Sequence, residues 1–215
     1  MRAGLPAGEL RERLRAVCAR ILAERDRLTE ADRAIGDGDH GITIARAFAA
    51  AKQALEGEAP SVAGDLRVLG GRLLAAGGTT GIVFGTLFRT LAREVGEEEL
   101  TASALADGLA RAVEEISRRA GARPGDKTML DALAPAAEAV RAEAGSGIDA
   151  ALAAAAEAAR RGAEETRSML PRAGRARTLG ERAVGYPDPG ALSVAIIFEA
   201  LAHGSSEARR SGADG

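Results

Sequence analysis

The chain has 215 residues, of which 46% are apolar and 2% aromatic, enough to form a single domain with a substantial core. Its formal net charge is −2 and its 29 basic residues form no block, which argues against nucleic acid as a partner. Cys18 is the only cysteine, so the sequence excludes an internal disulfide and a multi-cysteine zinc site.

No stretch approaches the ~18 apolar residues of a membrane span, and the N-terminus lacks an apolar signal segment. Cys18 lies between apolar residues of a helical pattern, which predicts a core thiol and fits a reducing compartment. We therefore expect a soluble, cytoplasmic protein without a membrane partner.

The predicted elements are all helices, because alanine favours helix and the β-branched and aromatic residues that favour strands are scarce. In residues 9–27, Leu10, Leu14, Val17 and Ile21 recur at three- and four-residue steps. Similar patterns predict about eight helices in all and no strand. The other helices are predicted at 42–56, 61–76, 80–95, 101–120, 128–144, 148–170 and 190–202.

We predict one domain over residues 1–204. The segment 205–215 is rich in Ser, Gly and charge, which predicts a disordered tail. The Gly/Pro-rich segment 171–190 is longer than an ordinary helix connection, and loops of that length are usually functional or disordered. We expect this segment to act as a lid.

A glycine-rich loop after the first helix contains Asp32, Asp37 and Asp39. Mg²⁺ takes oxygen ligands from a few carboxylates, completed by waters and substrate phosphates, so these aspartates are candidate metal ligands. The pattern requires Gly38 to take an unusual φ that turns Asp37 and Asp39 together. The alternative is a solvated turn. His40 is a neighbour of a helix N-cap, an exposed turn residue or a phosphate contact.

A second glycine-rich turn, Gly77 to Gly81, opens a predicted helix. The unpaired N–H groups of a helix N-terminus bind phosphate, and Thr79 or Thr80 can donate to a phosphate oxygen. The alternative is an ordinary threonine N-cap.

A third turn, between residues 121 and 131, contains Lys127 and Met129. Lys127 is either a surface charge or a group that neutralises phosphate, and Met129 can pack on a nucleotide base. In segment 171–190, Arg175 is either solvent-exposed or a contact to phosphate or ribose.

Together these segments resemble the nucleotide-binding L subunit of dihydroxyacetone kinases. The motifs that carry the resemblance are LTEADRAIGDGDHG, GGTTG, GDKTMLDALAPA and GRARTLGERAVGYPDPGA, in that order. The resemblance implies an all-α barrel of eight antiparallel helices that binds ADP or ATP at one end. It also implies that Asp32, Asp37 and Asp39 hold two Mg²⁺ ions, and that no catalytic residue exists in this chain beyond the metal–nucleotide site. The nucleotide contacts that it implies are His40, Gly41, Thr43, Thr79, Thr80, Gly121, Met129, Arg175, Asp188, Pro189 and Gly190.

The resemblance further implies a phosphoryl-transfer subunit of glycerol metabolism, whose partner K subunit holds dihydroxyacetone covalently on its own histidine. The donor stays open between bound ADP recharged by a phosphocarrier of the phosphotransferase system and exchangeable ATP. The acceptor stays open among dihydroxyacetone, another short ketose and a carrier-bound acid. A nucleotide-binding regulator without turnover is the alternative from another class, and a homodimer is also left open.

Overall fold

The computed structural model describes residues 2–57 and 60–211, with side chains described up to residue 203. The protein is all-α, as predicted, and the described ranges contain nine α-helices and two short strands. The helices are α1 (Ala7–Ala23), α2 (Arg25–Ile35), α3 (His40–Ala54), α4 (Val62–Ala75), α5 (Gly78–Glu94), α6 (Ala102–Ala120), α7 (Leu130–Ala142), α8 (Ile148–Glu165) and α9 (Pro189–Ser211).

Within the described ranges, α1 and α3 to α9 form a closed ring. Each helix from α3 to α9 packs against the next one along the chain, and α1 packs against both α9 and α3. Arg13 of α1 secures the closure, because its buried guanidinium donates to the carbonyl oxygen of Leu201 on α9 over 2.9 Å. The ring therefore has no open edge between its first and last helices.

Helix α2 was not predicted. We expected Asp32 to lie in a loop that follows the first helix, but the chain bends at Glu24 and is helical again from Arg25 to Ile35. Leu28 and Ile35 are buried seven residues apart, a spacing of two helical turns. Thr29 and Asp32 are also buried in this helix, so polar residues obscured its apolar pattern in the sequence.

The prediction of no strand was also wrong. β1 (Gly4–Pro6) pairs antiparallel with β2 (Glu99–Thr101), with Leu5 opposite Leu100. Three residues are too few to show the alternation by which a strand is recognised. The pair lies at the end of the ring where α1, α4 and α8 begin. The first N–H groups of these helices donate to the carbonyl oxygens of Glu98, Glu97 and Arg2, respectively.

The interior of the ring is packed mainly with Leu, Ile, Val and Ala, as the composition indicated. Phe48 and Phe88 meet edge to face, with ring centroids 6.3 Å apart. Cys18 is a buried core thiol, as predicted, and burial raises the pKa of this thiol to about 12. The thiol is therefore protonated and unreactive at neutral pH.

The segment 171–190 contains regular structure. A 3-10 helix runs from Arg175 to Ala183, with a break at Gly180, where φ is 55°. Ala176 and Ala183 pack against Ile35, which fastens the segment to the end of α2. Its action as a lid stays a prediction.

The last helix continues to Ser211, past residue 205, where we placed the start of the disordered tail. Residues 212–215 lie outside the described residues, so disorder there stays a prediction. Among the described helices, none is both long and apolar enough to cross a membrane.

Adjacent glycines on α4 provide a test of the packing between α4 and α5. A Cβ on Gly70 would lie 2.8 Å from the backbone nitrogen of Arg89 on α5, whereas a Cβ on Gly71 would meet nothing within 4 Å. We expect Gly70→Ala to lower the free energy of unfolding by about 1–3 kcal/mol through overpacking. Gly71→Ala should raise it by up to about 1 kcal/mol, because alanine favours helix over glycine. Urea unfolding followed by circular dichroism measures both, and equal effects would contradict the close approach.

Candidate functional site

Four helix N-termini meet at one end of the ring. Because successive helices alternate in direction, α3, α5, α7 and α9 all begin at this end. Their first residues, His40, Gly78, Leu130 and Pro189, all line a cavity of about 690 Å³. The first turn of a helix has unpaired N–H groups and carries the positive end of the helix dipole, so this end of the ring favours an anion.

Three carboxylates cluster at the cavity, where two of them belong to its lining. Asp32, Asp37 and Asp39 each offer an oxygen atom, and these atoms lie within 4.8 Å of one another. Gly38 has a φ of 76°, so it takes the unusual backbone conformation that we expected for bringing Asp37 and Asp39 together. A compact set of hard oxygen donors fits a divalent cation such as Mg²⁺.

The three aspartates have different surroundings. Asp32 projects from α2 and is 7% exposed, and its Oδ2 accepts a hydrogen bond of 3.0 Å from the backbone N–H of His40. Asp37 and Asp39 follow α2, and about half of each side chain is exposed. The cluster therefore combines one fixed carboxylate with two that are open to solvent.

Glycines allow α2 and α3 to approach closely enough to build this cluster. A Cβ on Gly41 would overlap the carbonyl oxygen of Arg25 and the hydroxyl of Thr29, and it would lie 2.5 Å from the backbone nitrogen of Thr29. A Cβ on Gly36 would overlap the carboxylate of Asp32. The conformation of this segment therefore requires glycine at both positions.

Most of the predicted site residues line the cavity. Gly41 packs against α2 instead, and Asp37 and Gly121 also lie outside the lining. The predicted residues that line the cavity are Asp32, Asp39, His40, Thr43, Thr79, Thr80, Met129, Arg175, Asp188, Pro189 and Gly190.

His40 is a buried residue at the start of α3. Its Nδ1 lies 3.1 Å from the hydroxyl of Thr80, and its Nε2 lies 2.8 Å from the hydroxyl of Ser193. Burial lowers the pKa of His40 to about 4, against the opposing effects of the charge of Asp32 and a hydrogen bond to the carbonyl of Pro189. The ring is therefore neutral at pH 7. Ser193, which contacts this ring, is not among the site residues that we predicted from the sequence.

The threonines of the second glycine-rich turn do not cap α5. Gly77, with a φ of 70°, is the N-cap residue, and no side chain caps this helix. Thr80 faces His40, while Thr79 lines the cavity without a side-chain hydrogen bond to any described residue. The threonine N-cap reading of the sequence is therefore wrong.

Arg175 lies over the carboxylate cluster. Its Nη1 donates to the carboxylate of Asp37 and lies 3.2 Å from Oδ1 of Asp39. Segment 171–190 thus brings a positive charge to the two exposed aspartates.

Lys127 is not a surface charge. Its side chain is buried, and its Nζ donates to the carbonyl oxygens of Thr166 and Tyr186 over 2.5 and 2.6 Å. Burial lowers the pKa of this ammonium group. Lys127 therefore joins the third turn to the end of α8 and to segment 171–190.

Thr166 and Asp188 extend this connection. The backbone N–H of Asp188 donates to the hydroxyl of Thr166 over 2.9 Å, and the carboxylate of Asp188 accepts from the N–H of Ala191 over 2.7 Å. Burial raises the pKa of Asp188 to about 7. Next to it, Gly190 leaves room for Met129, since a Cβ on Gly190 would lie 3.2 Å from the Cβ of Met129.

Sequence reasoning missed several residues of the cavity wall. Arg46 lies three residues, about one helical turn, beyond Thr43 on α3, so helical spacing from Thr43 could have found it. Ile116, Ala120 and Ala122 add an apolar wall, and no local pattern of residues indicates their place at the cavity.

The family comparison agrees with this architecture. The model of the DAK2 domain family matches residues 34–203, and the chain belongs to that family. This confirms the resemblance drawn from the sequence motifs.

Two relatives and one solved structure indicate the scale of the similarity. The chain is 37% identical to the ADP-binding subunit DhaL of the PEP-dependent dihydroxyacetone kinase of Escherichia coli, over 86% of this chain and 90% of that protein. It is 39% identical to L-erythrulose kinase of Pectobacterium atrosepticum, over 84% of this chain and 32% of that protein. The crystal structure of the dihydroxyacetone kinase from C. freundii in complex with AMP-PNP and Mg²⁺ matches with a TM-score of 0.71 and 28% identity, over 94% of this chain and 35% of that one. The chain thus spans about a third of the longer kinases and most of the DhaL subunit.

Replacing Lys127 tests its structural connection to segment 171–190. Lys127→Met removes the donor to two carbonyl groups, and leaving the buried carbonyl group of Thr166 unpaired costs about 1–3 kcal/mol. We expect faster trypsin cleavage at the arginines of this segment, measured by mass spectrometry of the fragments. The matched control is Lys52→Met on α3. Equal cleavage rates in the two variants would show that Lys127 does not hold the segment.

Proposed function

We propose that the chain is the nucleotide-binding, phosphoryl-transferring subunit of a dihydroxyacetone-type kinase. The observation that carries the proposal is the cavity in which four helix N-termini meet the cluster of Asp32, Asp37 and Asp39. Helix N-termini favour phosphates, and clustered carboxylates favour divalent cations, so the two together suit a metal–nucleotide complex. The similarity to a subunit named ADP-binding supports the same ligand.

Asp32, Asp37 and Asp39 would hold two Mg²⁺ ions. When bound there, Mg²⁺ neutralises charge on the phosphate chain. Protein groups around the metal ions would bind the phosphates directly. The N-terminus of α5 and the hydroxyl of Thr79 would donate hydrogen bonds to phosphate oxygens, and Arg175 would add a positive charge.

The base would lie against the apolar part of the cavity wall. Met129 forms part of this wall, with Ile116, Ala120 and Ala122 beside it. A thioether and small apolar side chains fit the flat face of adenine without a polar group left unpaired. Asp188 and Gly190 would bound the same side.

The acceptor would come from another chain. Among the described residues that line the cavity, His40 is the only histidine, and its ring is buried against Thr80 and Ser193. It is therefore not available to hold a ketose covalently. This supports a partner K subunit that carries dihydroxyacetone. The enzyme would act in glycerol metabolism in the cytoplasm. Erythrulose is the second acceptor, favoured by the similarity to L-erythrulose kinase.

The donor is either ADP that stays bound and is recharged by a phosphocarrier, or exchangeable ATP. Mass spectrometry of protein purified without added nucleotide separates the two, because retained ADP supports the first and empty protein the second. A phosphoryl-transfer assay with a K subunit and dihydroxyacetone or erythrulose then tests the function itself. Binding of nucleotide without turnover on any acceptor would instead favour a regulator.

Asp37→Asn tests the metal ligands. The substitution removes one negative charge from the cluster without changing its size, so we expect Mg²⁺-dependent ADP binding to be lost while the helical content stays the same. Isothermal titration calorimetry measures the binding, and circular dichroism measures the fold. Asp26→Asn is the control, since Asp26 lies on α2 and is 84% exposed, outside the cluster. Unchanged affinity for MgADP would remove Asp37 from the ligand set.

Arg46→Gln tests whether Arg46 binds phosphate. Side chains on a helix lean towards its N-terminus, so Arg46 leans over Thr43 towards the phosphate end of the cavity. Arg46 makes no hydrogen bond or ion pair with the described residues. We expect an approximately tenfold loss of MgADP affinity, the size of one charge-assisted hydrogen bond, with adenosine binding unchanged.

The matched control for Arg46→Gln is Arg72→Gln on α4. Arg72 is exposed near the same end of the ring but does not line the cavity. Equal losses for ADP and adenosine, or equal losses in both variants, would show that Arg46 does not contact phosphate.

A further inference from the structure

Ser193 lies behind the site, in the first turns of α9. It is fully buried and does not line the cavity. Its hydroxyl oxygen lies 2.8 Å from Nε2 of His40 and 3.0 Å from the carbonyl oxygen of Pro189. On the other side of the imidazole, Nδ1 lies 3.1 Å from the hydroxyl of Thr80. Four groups thus form one chain of hydrogen bonds from α9 to the edge of the cavity.

Each hydroxyl has one hydrogen atom, which fixes the direction of this chain. The carbonyl of Pro189 only accepts, and it interacts with both the hydroxyl of Ser193 and the ring of His40. Every contact is satisfied when Ser193 donates to Pro189 and Nε2–H of His40 donates to Ser193. Nδ1 then has no hydrogen atom and accepts from the hydroxyl of Thr80.

The opposite direction leaves a conflict. If Nδ1 carried the hydrogen atom, Ser193 would have to donate to Nε2, and its 3.0 Å contact with Pro189 would join two acceptors in a buried place. A doubly protonated ring would bury a charge whose hydrogen-bond partners are neutral oxygen atoms.

We propose that Ser193 is a positioning residue that holds His40 as its Nε2–H tautomer and thereby commits the hydroxyl hydrogen of Thr80 to Nδ1. Thr80 then offers the cavity only its oxygen lone pairs, which accept hydrogen bonds or bind a cation. Donation to phosphate falls to the hydroxyl of Thr79 and to the backbone N–H groups of α5. This inference rests on the proposed function and divides the roles of two adjacent threonines.

The tautomer is measured directly by long-range ¹H–¹⁵N correlation spectra of protein labelled at histidine. The chain has two histidines, and His203→Gln assigns the spectrum by removing the exposed one. We expect Nε2 of His40 to be protonated and Nδ1 unprotonated, with no nucleotide present. A protonated Nδ1, or a ring protonated at both nitrogens, would overturn the proposal.

The role of Ser193 is tested by replacing its hydroxyl. In Ser193→Ala we expect faster exchange of the Nε2–H hydrogen with water and a five- to tenfold loss of MgADP affinity, about the size of one hydrogen bond. Ser193→Thr keeps the hydroxyl and should restore both. Unchanged exchange and affinity in Ser193→Ala would refute the positioning role.

These outcomes separate the inference from the proposed function. If the native protein failed to bind MgADP, the proposed function would be wrong. The tautomer and the exchange rate of the Nε2–H hydrogen need no nucleotide, and they would still decide whether Ser193 orients His40. Thr80→Val adds a check on the last step, because it should shift the Nδ1 resonance by removing its donor, whereas Thr80→Ser should not.

Discussion

The alternating direction of helices in a closed ring is the constraint on which the site depends. Once α3 to α9 alternate and α9 closes against α1, the helices α3, α5, α7 and α9 have to begin at one end. No single helix terminus creates the cavity. The C-terminal ends of three other helices, α2, α4 and α6, also reach the cavity, at Ile35, Ala76 and Ala120. Their negative dipole ends partly cancel the positive ends of the four N-termini. The local side chains and unpaired N–H groups therefore decide which ligand fits.

Helix α2 stands outside this alternation, and it gives the site its acidic character. It projects Asp32 towards the start of α3, where the N–H of His40 holds the carboxylate. The contact exists because Gly41 has no side chain between α3 and the backbone of α2. A carboxylate at this position also acts as an acceptor for an unpaired N–H of a first helical turn, and that interaction stabilises the fold without any ligand. Asp32 therefore stabilises the start of α3 and also belongs to the carboxylate cluster of the site.

What the sequence could predict depended on whether the relevant pattern was local. The ring helices were predicted because apolar residues recur at helical spacing, and the aspartates because their clustering and Gly38 lie within one short segment. The burial of Lys127 could not be predicted, because its carbonyl partners lie 39 and 59 residues further along the chain. Ser193 lies 153 residues from His40, and only the closed ring brings the two together. Helix α2 was missed for another reason. Thr29 and Asp32 occupy buried positions of this helix, and a helix is recognised in a sequence by apolar residues at such positions.

If the cavity binds a nucleotide, as proposed, its charges explain why a cation would have to accompany the phosphates. Asp32, Asp37 and Asp39 already place negative charge beside the N-terminus of α3, where a phosphate would otherwise be favoured. A phosphate chain that approached alone would be repelled by these carboxylates at distances below the Debye length of about 8 Å, where salt screens the repulsion little. Arg175 supplies part of the missing positive charge by pairing with Asp37 and Asp39, and Arg46 would add more, but two guanidinium groups do not balance three carboxylates and a diphosphate. Under the proposed function, cations held by the aspartates would remove the repulsion, and the positive helix termini would then act on the ligand instead of on the cluster.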